Sequence, residues 1–137
     1  MKKRTPISAI MTADILSVNS TNTLKEVSKI IKGKNIRHLP VVSGNEIIGM
    51  LSKTDLDKIS FVNTMDGDEV TTAMYDALTI EQVMTTNIKT VQTTDTIYDV
   101  AYLLSKNEFH ALPVLKGEKL AGIVTTTDLL EYLVSLF

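Results

Sequence analysis

The chain has no cysteine, which excludes disulfides, thiolate metal sites and cysteine nucleophiles together. It has no tryptophan, and aromatics make up only 5% of it, so the core is expected to be aliphatic. Neither sign of charge dominates. Lys and Arg total 14 against 16 Asp and Glu, a formal net charge of -2, which argues against a duplex-DNA binder relying on phosphate neutralisation. No apolar run approaches the roughly 20 residues a membrane-spanning helix needs. The basic start, "MKKRTPISAIM", is not followed by a signal-peptide core. A cytoplasmic protein with no membrane contact is the expectation.

What the chain does have is aliphatic bulk and a repeat. Its 137 residues are 44% hydrophobic, enough for one domain or two joined half-domains. Met11–Leu56 aligns onto Met84–Leu129 without a gap. Matched identities include Met11/Met84, Thr12/Thr85, Val18/Val91, Thr23/Thr96, Pro40/Pro113, Gly49/Gly122 and Asp55/Asp128. Such self-similarity signals two copies of one supersecondary unit.

Each copy reads β-α-β-β-α, an α/β (α+β) fold class. "DILSV" and "NIKTV" read as strands, followed by turn-rich "NSTNT" and "QTTDT". Leu24, Val27, Ile30 and Ile31 then recur at helical spacing, as do Ile97, Val100, Leu103 and Leu104. Thr23 with Glu26, and Thr96 with Asp99, are spaced as capping boxes. "HLPVV" and "ALPVL" are strands; "SGNE" and "KGEK" turn the chain into "IIGMLS" and "LAGIVT". Second helices start near Asp55 and Asp128. A strand–helix–strand unit predicts a parallel pair, and the tight turn adds an antiparallel neighbour. The copies are bounded at 6–60 and 79–135, with 61–78 a linker. Within that linker Asp66, Asp68 and Glu69 form an acidic turn that lacks the ligand set and closing Glu of an EF-hand.

The stretches "GMLSKTDL" and "GIVTTTDL" admit two readings. Ser52 with Asp55 and Thr125 with Asp128 match capping boxes. The same groups could also hold a ligand, because a carboxylate accepts from both hydroxyls of a cis-diol. A hydroxyl at a helix N-terminus can donate to phosphate, which the helix dipole also favours. Gly49 and Gly122 fit close approach of either a ligand or a neighbouring segment.

Taken together, the tandem "MT", "LPV", "G" and "(S/T)xTDL" words resemble the CBS domain pair, or Bateman module, from about Pro6 to Leu133. The resemblance implies two CBS motifs packed about a pseudo-two-fold axis, with clefts between them that bind adenosine-containing ligands. AMP, ADP or ATP is the expected class; S-adenosylmethionine and NAD are alternatives. No cofactor is required. The resemblance also implies a homodimer formed through helices, a regulatory role towards an unknown regulated protein, and no enzymatic activity of its own.

Mapped onto this chain, the resemblance assigns ribose to Asp55 or Asp128, beside Thr54 and Thr127. Phosphate falls to Ser52, Thr125 and the equivalent basic positions Arg37 and His110. Arg is always charged and can bind an oxyanion bidentately, whereas His changes charge near neutral pH. His38 is a further candidate, although strand alternation turns it away from Arg37. Thr12 and Thr85 correspond to positions near the adenine, where Ile15 and Ile88 could pack on the base.

Two other readings compete. Ser52, Asp55 and His38 supply triad residue types, but no nucleophile elbow accompanies them. A ligand-free dimerisation scaffold is the main alternative. The terminal helix, "DLLEYLVSLF", is more apolar than a lone surface helix needs, which suggests either burial or a dimer face.

Overall fold

A β-hairpin carries each copy, and its register follows from one glycine turn. In the first copy β2 (His38–Ser43) pairs antiparallel with β3 (Glu46–Ser52) through a two-residue loop led by Gly44 at φ +62°. In the second, β5 (Ala111–Lys116) pairs with β6 (Lys119–Thr125), and Gly117 stands at φ +66°. Glycine adopts that conformation without a Cβ penalty. Both ladders slip at one place: Val41 pairs with Gly49 but Val42 with Ile47, and Val114 with Gly122 but Leu115 with Leu120. Ile48 and Ala121 are therefore the extra residues of two equivalent β-bulges.

The structure is a computed structural model describing residues 4–60 and 75–137. Asp66, Asp68 and Glu69 lie outside the described residues. Among those described, no helix is long and apolar enough to cross a membrane, and no cluster of His, Asp and Glu could hold a metal ion.

The chain divides into two compact units. One runs from Leu16 to Ile88; the other joins Met1–Ile15 to Lys89–Phe137. In the first, the three-stranded sheet has the order β1-β2-β3, with β1 (Val18–Asn19) parallel to β2. Helices α1 (Leu24–Lys34), α2 (Lys53–Ser60) and the short α3 (Ile80–Val83) complete it. Leu24, Val27, Leu39, Val41, Leu51 and Ile80 are fully enclosed in its core.

The second unit repeats the plan. Strand β4 (Val91–Gln92) lies parallel to β5 in a sheet of order β4-β5-β6, with α4 (Ile97–Ser105) and α5 (Thr126–Ser135). Its core includes Val100, Leu112, Val114 and Val124, together with Ile7, which reaches it from a short 3-10 turn, Ile7–Ala9. A fully buried Ile is worth roughly 1.5–3 kcal/mol of transfer free energy, so the head of the chain is tied to the second copy by packing. Main-chain bonds add to this: Ile7 N donates to Asp95 O at 2.6 Å, and Ile97 N to Thr5 O at 2.9 Å.

The first strands are shorter and later than "DILSV" and "NIKTV" predict. Thr12 and Thr85 are bridged to other strands, so the residues that follow them span from one pairing to the next, and only Val18–Asn19 and Val91–Gln92 form ladder. The predicted cap at Thr23 is complete, with Glu26 N donating to Thr23 Oγ1 at 3.1 Å and Thr23 N to Glu26 Oε1 at 3.2 Å. At Thr96 only half forms: Asp99 N donates to Thr96 Oγ1 at 3.1 Å. The Thr96 main chain is instead bridged to Pro6.

Candidate functional site

Each hairpin ends in the same local construction. His38 opposite Ser52 is the last pair of the β2–β3 ladder, and beyond it Lys53 N donates to Arg37 O at 2.8 Å. In the second unit Ala111 opposes Thr125, and Thr126 N donates to His110 O at 2.9 Å. The basic residue and the start of the following helix are thus strapped together by main chain. The basic positions two residues before Leu39 and Leu112 are held beside a helix N-terminus because the antiparallel register requires it.

The helix start is then closed by a capping box. Ser52 N donates to Asp55 Oδ2 at 2.9 Å, and Asp55 N to Ser52 Oγ at 3.1 Å. The second copy matches it: Thr125 N to Asp128 Oδ2 at 2.9 Å, Asp128 N to Thr125 Oγ1 at 3.1 Å. Both boxes are half-buried. The box occupies one carboxylate oxygen in each case, and Oδ1 of Asp55 and of Asp128 has no hydrogen-bond partner among the described residues. An ionised carboxylate has about four acceptor positions, so capping leaves it capacity to accept from a diol. Thr54 and Thr127, one residue earlier in the first turn, are exposed.

The head segments cross between copies. Thr12 N donates to Ile123 O at 2.8 Å and Ile123 N to Thr12 O at 3.0 Å, adding the first copy's head to β6. Thr85 and Met50 make the same exchange at 2.9 and 3.0 Å on β3. Each bridge lies two residues from the capping residue of its strand, about 7 Å along it. Thr12 and Ile15 consequently share a unit with His110, Thr125, Thr127 and Asp128. Thr85 and Ile88 share one with Arg37, His38, Ser52, Thr54 and Asp55.

These bridges decide the role of the two strand glycines. A Cβ on Gly122 would lie 2.6 Å from Thr12 O and 2.9 Å from Met11 Sδ; one on Gly49 would meet the Met84 side chain and lie 3.0 Å from Thr85 O. Gly49 and Gly122 therefore admit the incoming "MT" pair. The recurrent Met, Thr and Gly form one packing device, with each methionine lying over the other copy's glycine.

Arg37, just before β2, is exposed, and His38, the first residue of β2, is half-buried. His110 is exposed. The sequence reading missed Lys53. It stands at the first helical position of α2, where the second copy has Thr126, so the first copy's helix start has Arg37 and Lys53 joined through main chain where the second has His110 and Thr126. Aligning the two copies at that position would have revealed it.

Comparison with known proteins supplies the family. The model of the CBS domain matches residues 7–61 and 80–135. The chain is a tandem pair of CBS domains. Its relatives include two uncharacterised proteins of Methanocaldococcus jannaschii. One is 31% identical over 91% of this chain and 43% of its own length; the other, MJ1225, is 27% identical over 89% and 45%. The crystal structure of MJ1225 superposes with a TM-score of 0.83 at 25% identity, covering 97% of this chain and 49% of that one. The CBS pair of protein MJ0100, solved with 5′-methylthioadenosine and S-adenosyl-L-methionine, matches with a TM-score of 0.80 at 24% identity over 97% and 98% of the two chains. CBSX2, solved with AMP, gives 0.80 at 21% identity over 96% and 98%. The last two likenesses concern the fold. The chain spans less than half the length of the curated relatives it matches.

Proposed function

We propose that this CBS pair is a regulatory, non-catalytic module that binds an adenosine-containing ligand of the AMP, ADP or ATP class. It acts in the cytoplasm, self-associates through its helices and changes the activity of a partner protein. The observation that carries this reading is the duplicated constellation at the hairpin ends. Each has a carboxylate with one oxygen committed to a cap and the other available, a basic residue strapped beside it, and a helix N-terminus.

In this reading Asp55 or Asp128 accepts from the ribose diol. Arg37 and Lys53, or His110, face phosphate together with the Ser52 or Thr125 hydroxyl. Thr54 and Thr127 border the same first turn. Thr85 with Ile88, or Thr12 with Ile15, borders the base. His38, half-buried next to Arg37, supports that strand end. The two cations favour the Asp55 constellation for the more highly phosphorylated ligand, since each charge-assisted contact is about twice as strong as a neutral one. Output follows only if the ligand binds one state of the module better than another.

A second reading, a sensor of S-adenosylmethionine or a related thioether, is favoured by the complex reported for the MJ0100 pair. A thermal-shift panel with AMP, ADP, ATP, S-adenosylmethionine and NAD separates these readings. A ligand at a hundred times its dissociation constant stabilises the fold by about 2.7 kcal/mol. Stabilisation by the phosphorylated nucleotides supports the first reading, and stabilisation by S-adenosylmethionine alone supports the second. No shift with any of the five at millimolar concentration leaves a structural scaffold.

A further inference from the structure

Six methionines hold all the sulfur of the chain, since it has no cysteine. Thiol redox chemistry is therefore closed to it, and thioether chemistry is not. Two of the six occupy equivalent places. Met11 packs at the edge of the core that holds Ile7 and Val124, and Met84 at the edge of the core that holds Leu51 and Ile80. Both are half-buried, so solvent reaches each in part, while Met50 is only 8% exposed. Each lies on a buried strand glycine. The place of a Cβ on Gly122 is 2.9 Å from Met11 Sδ and 3.3 Å from Met11 Cγ; that of one on Gly49 is 2.9 Å from Met84 Cγ and meets Met84 Sδ.

We propose that Met11 and Met84 are reversible oxidation sites, and that their sulfoxides release the crossed "MT" heads from β6 and β3. The step transfers one oxygen from a hydroperoxide. An S–O bond forms as the O–O bond breaks, the thioether is oxidised to a sulfoxide, and with hydrogen peroxide the second oxygen leaves as water. A methionine sulfoxide reductase reverses it, with a dithiol oxidised to a disulfide and the oxygen released as water. The sulfoxide is polar where the thioether was apolar. An S–O bond aimed at the strand has no room, because the sulfur already fills the space beside the glycine. An oxygen buried against aliphatic side chains without a donor is costly. The side chain therefore swings outward to water, off its glycine. Met84 can reseat over a methyl added to Gly49 because it stays apolar; a sulfoxide cannot. Met11 adjoins Thr12 and Met84 adjoins Thr85, and each threonine commits its N–H and C=O to the opposing strand, so displacing the methionine strains the bridge beside it. The inference is independent of the adenosine reading, and its test contains no nucleotide.

Hydrogen peroxide treatment of the full chain, followed by peptide mapping and amide hydrogen exchange, tests this. Met11 and Met84 should each gain one oxygen, about 16 Da, before Met50 does. The Thr12, Ile123, Thr85 and Met50 amides should then exchange roughly tenfold faster or more, as a locally opened segment does, and sulfoxide reductase should restore them. Met11→Leu with Met84→Leu keeps apolar volume and removes both thioethers, so peroxide should leave these four amides slow. Met11→Leu alone should protect the Thr12–Ile123 pair and leave the Thr85–Met50 pair sensitive. Sulfoxides at Met11 and Met84 with exchange unchanged would overturn the proposal. So would earlier oxidation of Met50, or equal acceleration in the Leu variants.

Discussion

Thr12 and Ile123, at opposite ends of the chain, exchange both main-chain hydrogen bonds, at 2.8 and 3.0 Å. Thr85 and Met50 do the same at 2.9 and 3.0 Å. The head of each copy is thereby added to the sheet of the other, and each capping constellation acquires an "MT" segment from the opposite copy. Gly122 and Gly49 make room for these crossings.

Because Ile7 is fully buried in the second copy's core, Ile7→Ala should act far from its place in the sequence. It is expected to cost about 2–5 kcal/mol, the range for truncating a buried aliphatic. Hydrogen exchange should show the lost protection in α4 and β5, with α1 and β2 retaining theirs. Loss confined to α1 and β2 would contradict the crossing.

The two glycines should differ in cost. A methyl on Gly122 first meets a carbonyl, Thr12 O, at 2.6 Å, whereas one on Gly49 first meets the flexible end of Met84. Gly122→Ala is therefore expected to lose about 1–3 kcal/mol and Gly49→Ala less, since methionine can change rotamer. Chemical denaturation of the two variants measures this. Equal losses would mean the backbone bridge is not what confines Gly122.

Glu26 is held below the ordinary 4.5 first by the hydrogen bond from Asn22, then by the Thr23 N–H and hydroxyl. Its folded-state pKa is depressed, so its contribution to stability is present above the unfolded-state value and is lost as pH falls through the folded one. NMR titration should find its midpoint below 4.5, and Asn22→Ala should raise it. A midpoint that Asn22→Ala leaves unmoved would rule out the Asn22 contact as the main cause.

Much of this was legible in the chain itself. The repeat is visible as a self-match along the chain, and both glycine-led turns, the Thr23 cap and the Ser52/Asp55 and Thr125/Asp128 boxes depend on residues within a few positions of one another, so local chemistry determines them. The crossing of the heads was not legible. Each copy obeys the same pattern whichever sheet its head joins, so periodicity cannot choose between them. For the same reason the first strands are shorter than "DILSV" and "NIKTV" predict: Thr12 and Thr85 pair outside their own copy, and Val18 and Val91 are where the chain returns to it. The readings of Gly49 and Gly122 stayed open in the sequence because only the neighbouring segment distinguishes a packing contact from a ligand contact. Lys53 carries no motif of its own: it lies inside the "(S/T)xTDL" word at the position that pattern leaves open, and the second copy has Thr126 there.

The most direct test of the adenosine reading is calorimetric titration of AMP and ATP into the unmodified protein and into the Asp55→Asn, Asp128→Asn double variant. Asparagine can still accept the Ser52 and Thr125 N–H groups, so the caps and the fold should survive the change, while the charge that favours a ribose diol is lost. The account predicts saturable binding to the unmodified protein, weakened at least tenfold in the double variant at nearly unchanged melting temperature. Equal affinity in both proteins would contradict it.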